Sequence, residues 1–257
     1  VKKLSLIQGE FSPGCVVFLD IDYTLISPLA AIFGTNSPYR DFIDILKHEM
    51  GEDILELLGK WRISRKIRLM NYPWPAWIEE AKKQIPVYGL TKIMGGETGP
   101  IPKIEHWRWN ELASLGIEFS PLYLGKSEHL LPMPERLRLE EKGHPSFYRG
   151  IFFTGIVKKS EVLAEMLRHE RPSKIIFVDD RSSEIEDLKQ KCEEEGILFE
   201  GIVFREQPLM DSSMDSDLLG QLYAVQRKAF LEGKWIEDKE ALKILRPNIL
   251  NFECFEK

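Results

Sequence analysis

The string Phe18-Leu19-Asp20-Ile21-Asp22-Tyr23-Thr24-Leu25 decides how the rest of the chain is read. Cys15, Val16 and Val17 precede it, so an unbroken apolar run ends abruptly in two carboxylates spaced two residues apart. Such a run predicts a strand covered on both faces, as in a parallel sheet. Carboxylates at its C-terminal end point into the crevice where open α/β sheets bind ligands. Burying them is costly unless they are paired or hold a metal. The plainer alternative is an acid-rich turn in which Asp20 caps a backbone amide.

Outward from this strand, short apolar runs alternate with helical patterns, the signature of an α/β domain with a parallel sheet. Further strands are expected at residues 86–90, 117–119, 150–153, 174–178 and 197–204. Helices fall between them. One is capped by Ser182 or Ser183, carries Ile185, Leu188 and Cys192 on one face, and stops at Gly196. Another follows Ser160 and ends before Pro172, and a third covers residues 104–115 with Gly116 as its C-terminal cap.

Composition bounds the function classes. The 257 residues carry 35 Lys and Arg against 41 Asp and Glu, a formal charge of −6 that argues against a general nucleic-acid binder. No apolar run approaches the roughly 20 residues of a membrane helix, so a soluble protein without a membrane span is expected. Cys15, Cys192 and Cys254 lack zinc-ligand spacing and read as free thiols. This cysteine usage favours a cytoplasmic location; a start at Val1 leaves export open, with a leader already removed.

A second acidic pair, Asp179 and Asp180, directly follows the apolar run 174–178, with Glu184 four residues beyond Asp180. Alone, it is better read as a helix start enriched in acids. Two strands that both end in carboxylate pairs instead make an oxygen-rich cage suited to Mg²⁺, a hard cation that keeps waters and a phosphate oxygen.

These residues carry a resemblance. FLDIDYTL resembles the first motif, DxDxT, of the haloacid dehalogenase superfamily of phosphotransferases, and IIFVDD resembles its metal-binding fourth motif. Thr91 stands where that family has a Thr or Ser after the second core strand, and Lys158 and Lys159 stand where it has a lysine. More narrowly, GIFFT, KKSEVL, FVDDR and the late EGKW are similar to a bacterial subfamily of unknown function, DUF2608. The resemblance implies a three-layer Rossmann-like core and a Mg²⁺-dependent phosphatase acting on a small phosphorylated substrate. In it Asp20 is the nucleophile that forms an aspartyl-phosphate, and Asp22 is the general acid and base. Thr91 donates to a phosphoryl oxygen and Lys159, favoured over Lys158, neutralises charge. Asp20, Asp22 (through its carbonyl), Asp180 and Asp179 are the implied metal set, Asp179 either directly or through a second layer. Glu184 replaces a commoner Asp, and Thr154 is a rival to Thr91.

The implied domains are a core of residues 1–25 and 86–210, a helical cap of residues 26–85, and a C-terminal helical extension of residues 211–257 packed on the core. The cap segment is expected to hold helices and no strand, with Phe42, Ile45, Leu46, Ile54, Leu57 and Leu58 as its apolar stripe. Within it, the basic stretch 61–68 reads either as an anion contact or as a solvated face with Ile63 and Ile67 inward. Trp74 and Trp77 read as a hinge, a substrate wall or packing. Asp211, Asp215 and Asp217 read as helix caps, and the five histidines show no ligand or triad spacing. A dehalogenase is disfavoured, because Asp22 has no task where no leaving oxygen needs a proton. The rival from another class is a non-catalytic interaction module that docks partners on the cap and C-terminal helices.

Overall fold

The structure is a computed structural model that describes residues 11–34, 36–135, 143–205 and 215–246. In chain order the strands are β1 (Cys15–Leu19), β2 (Ile26–Pro28), β3 (Ile67–Leu69), β4 (Val87–Thr91), β5 (Glu128–Leu130), β6 (Ser146–Tyr148), β7 (Ile151–Phe153), β8 (Lys174–Asp179) and β9 (Leu198–Val203). The helices are α1 (Phe42–Met50), α2 (Ile54–Ser64), α3 (Trp74–Lys82), α4 (Ile104–Ala113), α5 (Lys159–His169), α6 (Ser182–Glu194), α7 (Ser216–Leu231) and α8 (Asp238–Leu245).

Seven strands form one mixed sheet in the order β5-β6-β7-β4-β1-β8-β9. The five strands from β7 to β9 run parallel, and β5 and β6 add an antiparallel edge. The parallel part starts in the middle at β1, steps outward through β4 and β7, then crosses to β8 and β9 on the other side. This order reverses between β1 and β8, and ligands of such sheets bind at that switch point. The fold is thus α/β with a mostly parallel central sheet, compatible with a Rossmann-like core.

The register explains why the acidic tips coincide. Leu19 pairs with Val178, so Asp20 and Asp179 leave adjacent strands at the same level. The strands are apolar because both faces are covered. Phe18, Tyr88, Phe152, Ile175 and Phe177 join Leu163, Leu167, Leu188 and Cys192 of α5 and α6 in one buried cluster. No residue of α3 or α4, which lead into and out of β4, belongs to that cluster.

The strand expected at residues 117–119 is absent. Ile117 and Phe119 are buried but extend no ladder, because β7 occupies that side of β4. Only Ser120 reaches it, donating its N–H to the Val87 carbonyl at 2.9 Å. Phe119 packs instead against Gly89, where an added Cβ would come within 2.8 Å of Phe119 Cε2 and 3.2 Å of Ile21 Cδ1. Gly89→Ala is therefore expected to destabilise the fold by about 1–3 kcal/mol through overpacking. Thermal unfolding reads this directly, and an unchanged Tm would contradict it.

The chain divides into two units: residues 1–27, 69–97 and 101–206, and residues 28–68, 98–100 and 207–257. This grouping differs from the expected boundaries, with residues 98–100 in the second unit and two larger changes. Helix α3 falls with the sheet, where Trp74 is 1% exposed and its indole N–H donates to the Thr24 carbonyl at 3.1 Å. Trp74 is thus packing. Helices α7 and α8 fall with the inserted segment rather than with the sheet. Within that second unit Phe42 meets Phe230 at 5.4 Å, Phe33 meets Trp235 at 5.9 Å, and Asp238 accepts the Ala31 N–H at 2.8 Å.

Other local expectations change for stated reasons. The segment between β1 and β4 holds two short strands, β2 and β3, which pair with each other. Ile45 and Ile63 are 46% and 57% exposed, so the buried stripe is Phe42, Leu46, Ile54 and Leu58, joined by Trp61. Neither Ser182 nor Ser183 caps α6. Its N-cap is Arg181, whose N–H donates to the Asp179 carboxylate at 2.8 Å. Asp215 caps α7 by accepting from the Asp217 N–H, and Asp211 and Cys254 lie outside the described residues. Cys15 and Cys192 are buried free thiols, and burial pushes Cys192 up to about 12. Among the described residues no helix is long and apolar enough to cross a membrane.

Candidate metal and phosphate site

The loop after β1 is built to hold carboxylates still. The Ile21 carbonyl accepts the N–H groups of both Leu25 and Ile26, and the Tyr23 N–H donates back to the Ile26 carbonyl at 2.7 Å. This tight return forces Tyr23 to φ +67°, a conformation uncommon for a non-glycine residue and often found at functional sites. Thr24, fully buried, donates its hydroxyl to Asp20 Oδ2 at 3.0 Å. The threonine of the string therefore orients the first aspartate.

Lys159 arrives from the start of α5, 139 residues away in sequence. It is 2% exposed, and its Nζ lies 2.5 Å from Asp20 Oδ1 and 2.7 Å from Asp179 Oδ2. Lys158 turns outward to pair with Asp187 at 3.3 Å, so Lys159 is the lysine at the site. Asp20, Asp179 and Asp180 each offer an oxygen, and these atoms lie within 4.8 Å of one another. Both Asp179 oxygens are engaged, one by Lys159 and one by the Arg181 N–H. Asp179 thus holds Lys159 and the start of α6, and half-buried Asp180 completes the trio.

Thr91 ends β4 beside β1 and is 2% exposed, with its Oγ1 accepting the Ile93 N–H at 3.3 Å. Thr154, at the end of β7, donates its backbone N–H to the Thr91 carbonyl at 2.9 Å. Its own hydroxyl is buried without a partner. Glu184 forms an ion pair with Lys92, the residue after Thr91.

Asp22 stands apart from the trio. Its carboxylate pairs with Arg108 of α4, whose Nη2 lies 3.0 Å from each of its oxygens. Arg108 is 1% exposed and also donates from Nη1 to Glu111 at 2.5 Å. Sequence reasoning missed this arginine, although a signal existed. Ile104, Arg108 and Leu112 recur every four residues, which places a charge in the apolar stripe of an otherwise ordinary helix.

Burial and crowding dominate the electrostatics. Burial, reinforced by Asp179, raises Asp20 to about 7 against the pull of Lys159. Burial likewise raises Asp179 despite the same lysine. Burial opposes the charge on Lys159, but Asp20 and Asp179 outweigh it and hold the ammonium above the ordinary lysine range. Asp20, Asp179 and Asp180 bring carboxylate oxygens to one point, with Lys159 bound to two of the three acids. Such a cluster of hard oxygen donors fits a small divalent cation such as Mg²⁺.

The family described as "Protein of unknown function (DUF2608)" matches residues 4–241. A Rickettsia prowazekii (strain Madrid E) protein, "Uncharacterized protein RP296", is 27% identical over 240 residues, covering 90% of this chain and 82% of its own length. No solved structure matches the chain significantly. With nearly its whole length spanned by that family, from ahead of β1 into α8, the chain belongs to DUF2608.

Proposed function

We propose that this chain is a Mg²⁺-dependent phosphomonoester hydrolase of the haloacid dehalogenase superfamily. One observation carries the reading: Asp20, Lys159 and the Asp179–Asp180 pair, far apart in sequence, converge at the C-terminal ends of neighbouring parallel strands. The strand order supports it, because Asp20 and Asp180 follow β1 and β8 on the two sides of the switch point, Thr91 ends β4 beside β1, and Lys159 opens the helix after β7.

Asp20 attacks phosphorus and the bond to the leaving oxygen breaks, giving an aspartyl-phosphate and splitting one hard displacement into two easier ones. Its two oxygens are oriented by Lys159 and Thr24, and each keeps a second lone pair. Asp22 gives its proton to the departing alkoxide or phenoxide. In the second half-reaction it takes a proton from water, which attacks phosphorus and frees phosphate and Asp20. Thr91 donates its hydroxyl to a phosphoryl oxygen, and the Lys159 ammonium balances charge on the transferring group. Asp20, Asp180 and the Asp22 carbonyl would hold Mg²⁺, which would supply positive charge that lets carboxylate and phosphate approach.

The second unit is inserted directly after the Asp20–Leu25 loop, at residue 28. That insertion point supports assigning it the part of a helical cap which sets specificity and excludes water. The expected result is Mg²⁺-dependent hydrolysis of 4-nitrophenyl phosphate, abolished by EDTA and restored by Mg²⁺. Folded protein that turns over no member of a phosphate-ester panel and binds no Mg²⁺ by calorimetry would overturn the proposal and favour a non-catalytic module.

A further inference from the structure

We propose that Arg108 is a positioning residue that holds the Asp22 carboxylate toward the leaving oxygen, an inference that rests on the phosphatase reading above. Arg108 is the largest fully buried charged side chain among the described residues, and burying a guanidinium is expensive unless its hydrogens are matched. Here the two terminal nitrogens are matched specifically, while Nε is buried without a hydrogen-bond partner. Nη2 sits astride Asp22 at 3.0 Å from both oxygens, so the carboxylate cannot rotate without losing a bond. Nη1 is tied to Glu111 one helical turn along α4, which stops the arginine from following. The Trp107 ring, centred 5.1 Å from the guanidinium carbon, flanks it.

Thr24 and Lys159 fix Asp20 from two sides, whereas Asp22 lies in a return loop with its side chain 32% exposed. An unrestrained carboxylate samples several rotamers, and proton transfer demands hydrogen-bond reach of one oxygen. Arg108 comes from α4, the helix that follows β4, and reaches Asp22 from there. It acts through Asp22 and touches no substrate atom.

The experiment compares kcat/KM, which reports the first chemical step, across aryl phosphates from 2,4-dinitrophenyl to phenyl. Arg108→Lys keeps the buried charge but cannot straddle both oxygens. It is expected to lose about 10- to 100-fold on phenyl phosphate, whose leaving oxygen needs the proton, and about twofold or less on 2,4-dinitrophenyl phosphate. An equal loss on both would overturn the inference. A second comparison guards against misfolding, using Asp22→Asn and the neutral pair Asp22→Asn with Arg108→Gln. The paired variant should be no slower than Asp22→Asn alone, since the arginine works only through that aspartate. A further tenfold loss would show direct contact with the phosphoryl group and overturn the inference. If the wild-type protein hydrolyses no ester, the phosphatase reading itself fails before any Arg108 variant is measured.

Discussion

On the phosphatase reading, Asp20→Asn is expected to lower hydrolysis of an aryl phosphate by a factor of about 10⁴ or more, because a neutral carboxamide is a poor nucleophile. The fold is expected to survive, and the pH dependence of its stability tests the burial of Asp20. In the wild-type protein without metal, burial holds the Asp20 carboxyl at about 7, above its ordinary value near 3.8. A raised pKa means that the folded state binds the proton more tightly than the unfolded chain. The stability this adds is complete below about pH 3.8 and is lost as the pH rises through about 7. Asparagine at this position removes that dependence. Differential scanning in EDTA at pH 5 and pH 8 should therefore give a smaller Tm drop for Asp20→Asn than for the wild type. Identical drops would contradict the placement of Asp20 as a buried, crowded carboxyl. Full activity in the variant would remove it as the nucleophile.

Lys159→Met produces the second large effect, this time on both stability and turnover. The ammonium is 2% exposed and bridges two buried carboxylates. Methionine fills its volume but leaves Asp20 and Asp179 facing each other without a cation. Breaking a buried ion pair from one side costs about 3–5 kcal/mol, because the remaining charge stays desolvated. For a domain of this size the Tm falls by on the order of 10 °C. Mg²⁺ should recover part of that loss, since a cation at Asp20 and Asp180 supplies some of the missing charge, while hydrolysis stays at least about 100-fold down. Lys158→Met, at the exposed neighbour, should change neither quantity measurably. Equal effects from the two lysines would reverse their assignment.

The two substitutions also separate the parts of the cluster. Removing Asp20 relieves crowding among carboxylates and removing Lys159 intensifies it, so their metal-free stabilities should move in opposite directions at pH 8. A common direction would mean that the 2.5 Å and 2.7 Å contacts do not govern the energetics of the site.

Much of this was legible before any coordinates. A strand buried on both faces needs an unbroken apolar run, and β1, β8 and most of β4 stand in the sequence where such runs occur. Acids at the ends of two such runs are conspicuous because apolar neighbours make them expensive, so Asp20, Asp22, Asp179 and Asp180 could be named from one dimension. Short or irregular elements were not legible. The run 117–119 buries Ile117 and Phe119 on either side of Glu118 but makes no ladder, since strand pairing depends on which partner is free and β7 holds that side of β4. The β5–β6 edge went unseen because three-residue strands give too few alternations to reveal a period.

Pairing across long stretches of chain lay beyond the linear pattern altogether. Two adjacent lysines are chemically equivalent as letters, and only the place of Lys159 before Ser160 favoured it. One peptide of difference on a helix start turns Lys159 into the buried partner of Asp20 and sends Lys158 to solvent. Arg108 is a single charge on a helix face, and its meaning comes from Asp22, 86 residues earlier, lying opposite it. Residue chemistry and local periodicity are properties of neighbours along the chain, so they establish the strands and their acidic tips. Which cation neutralises which acid depends on where distant segments meet once the core has packed, and only the folded arrangement supplies that.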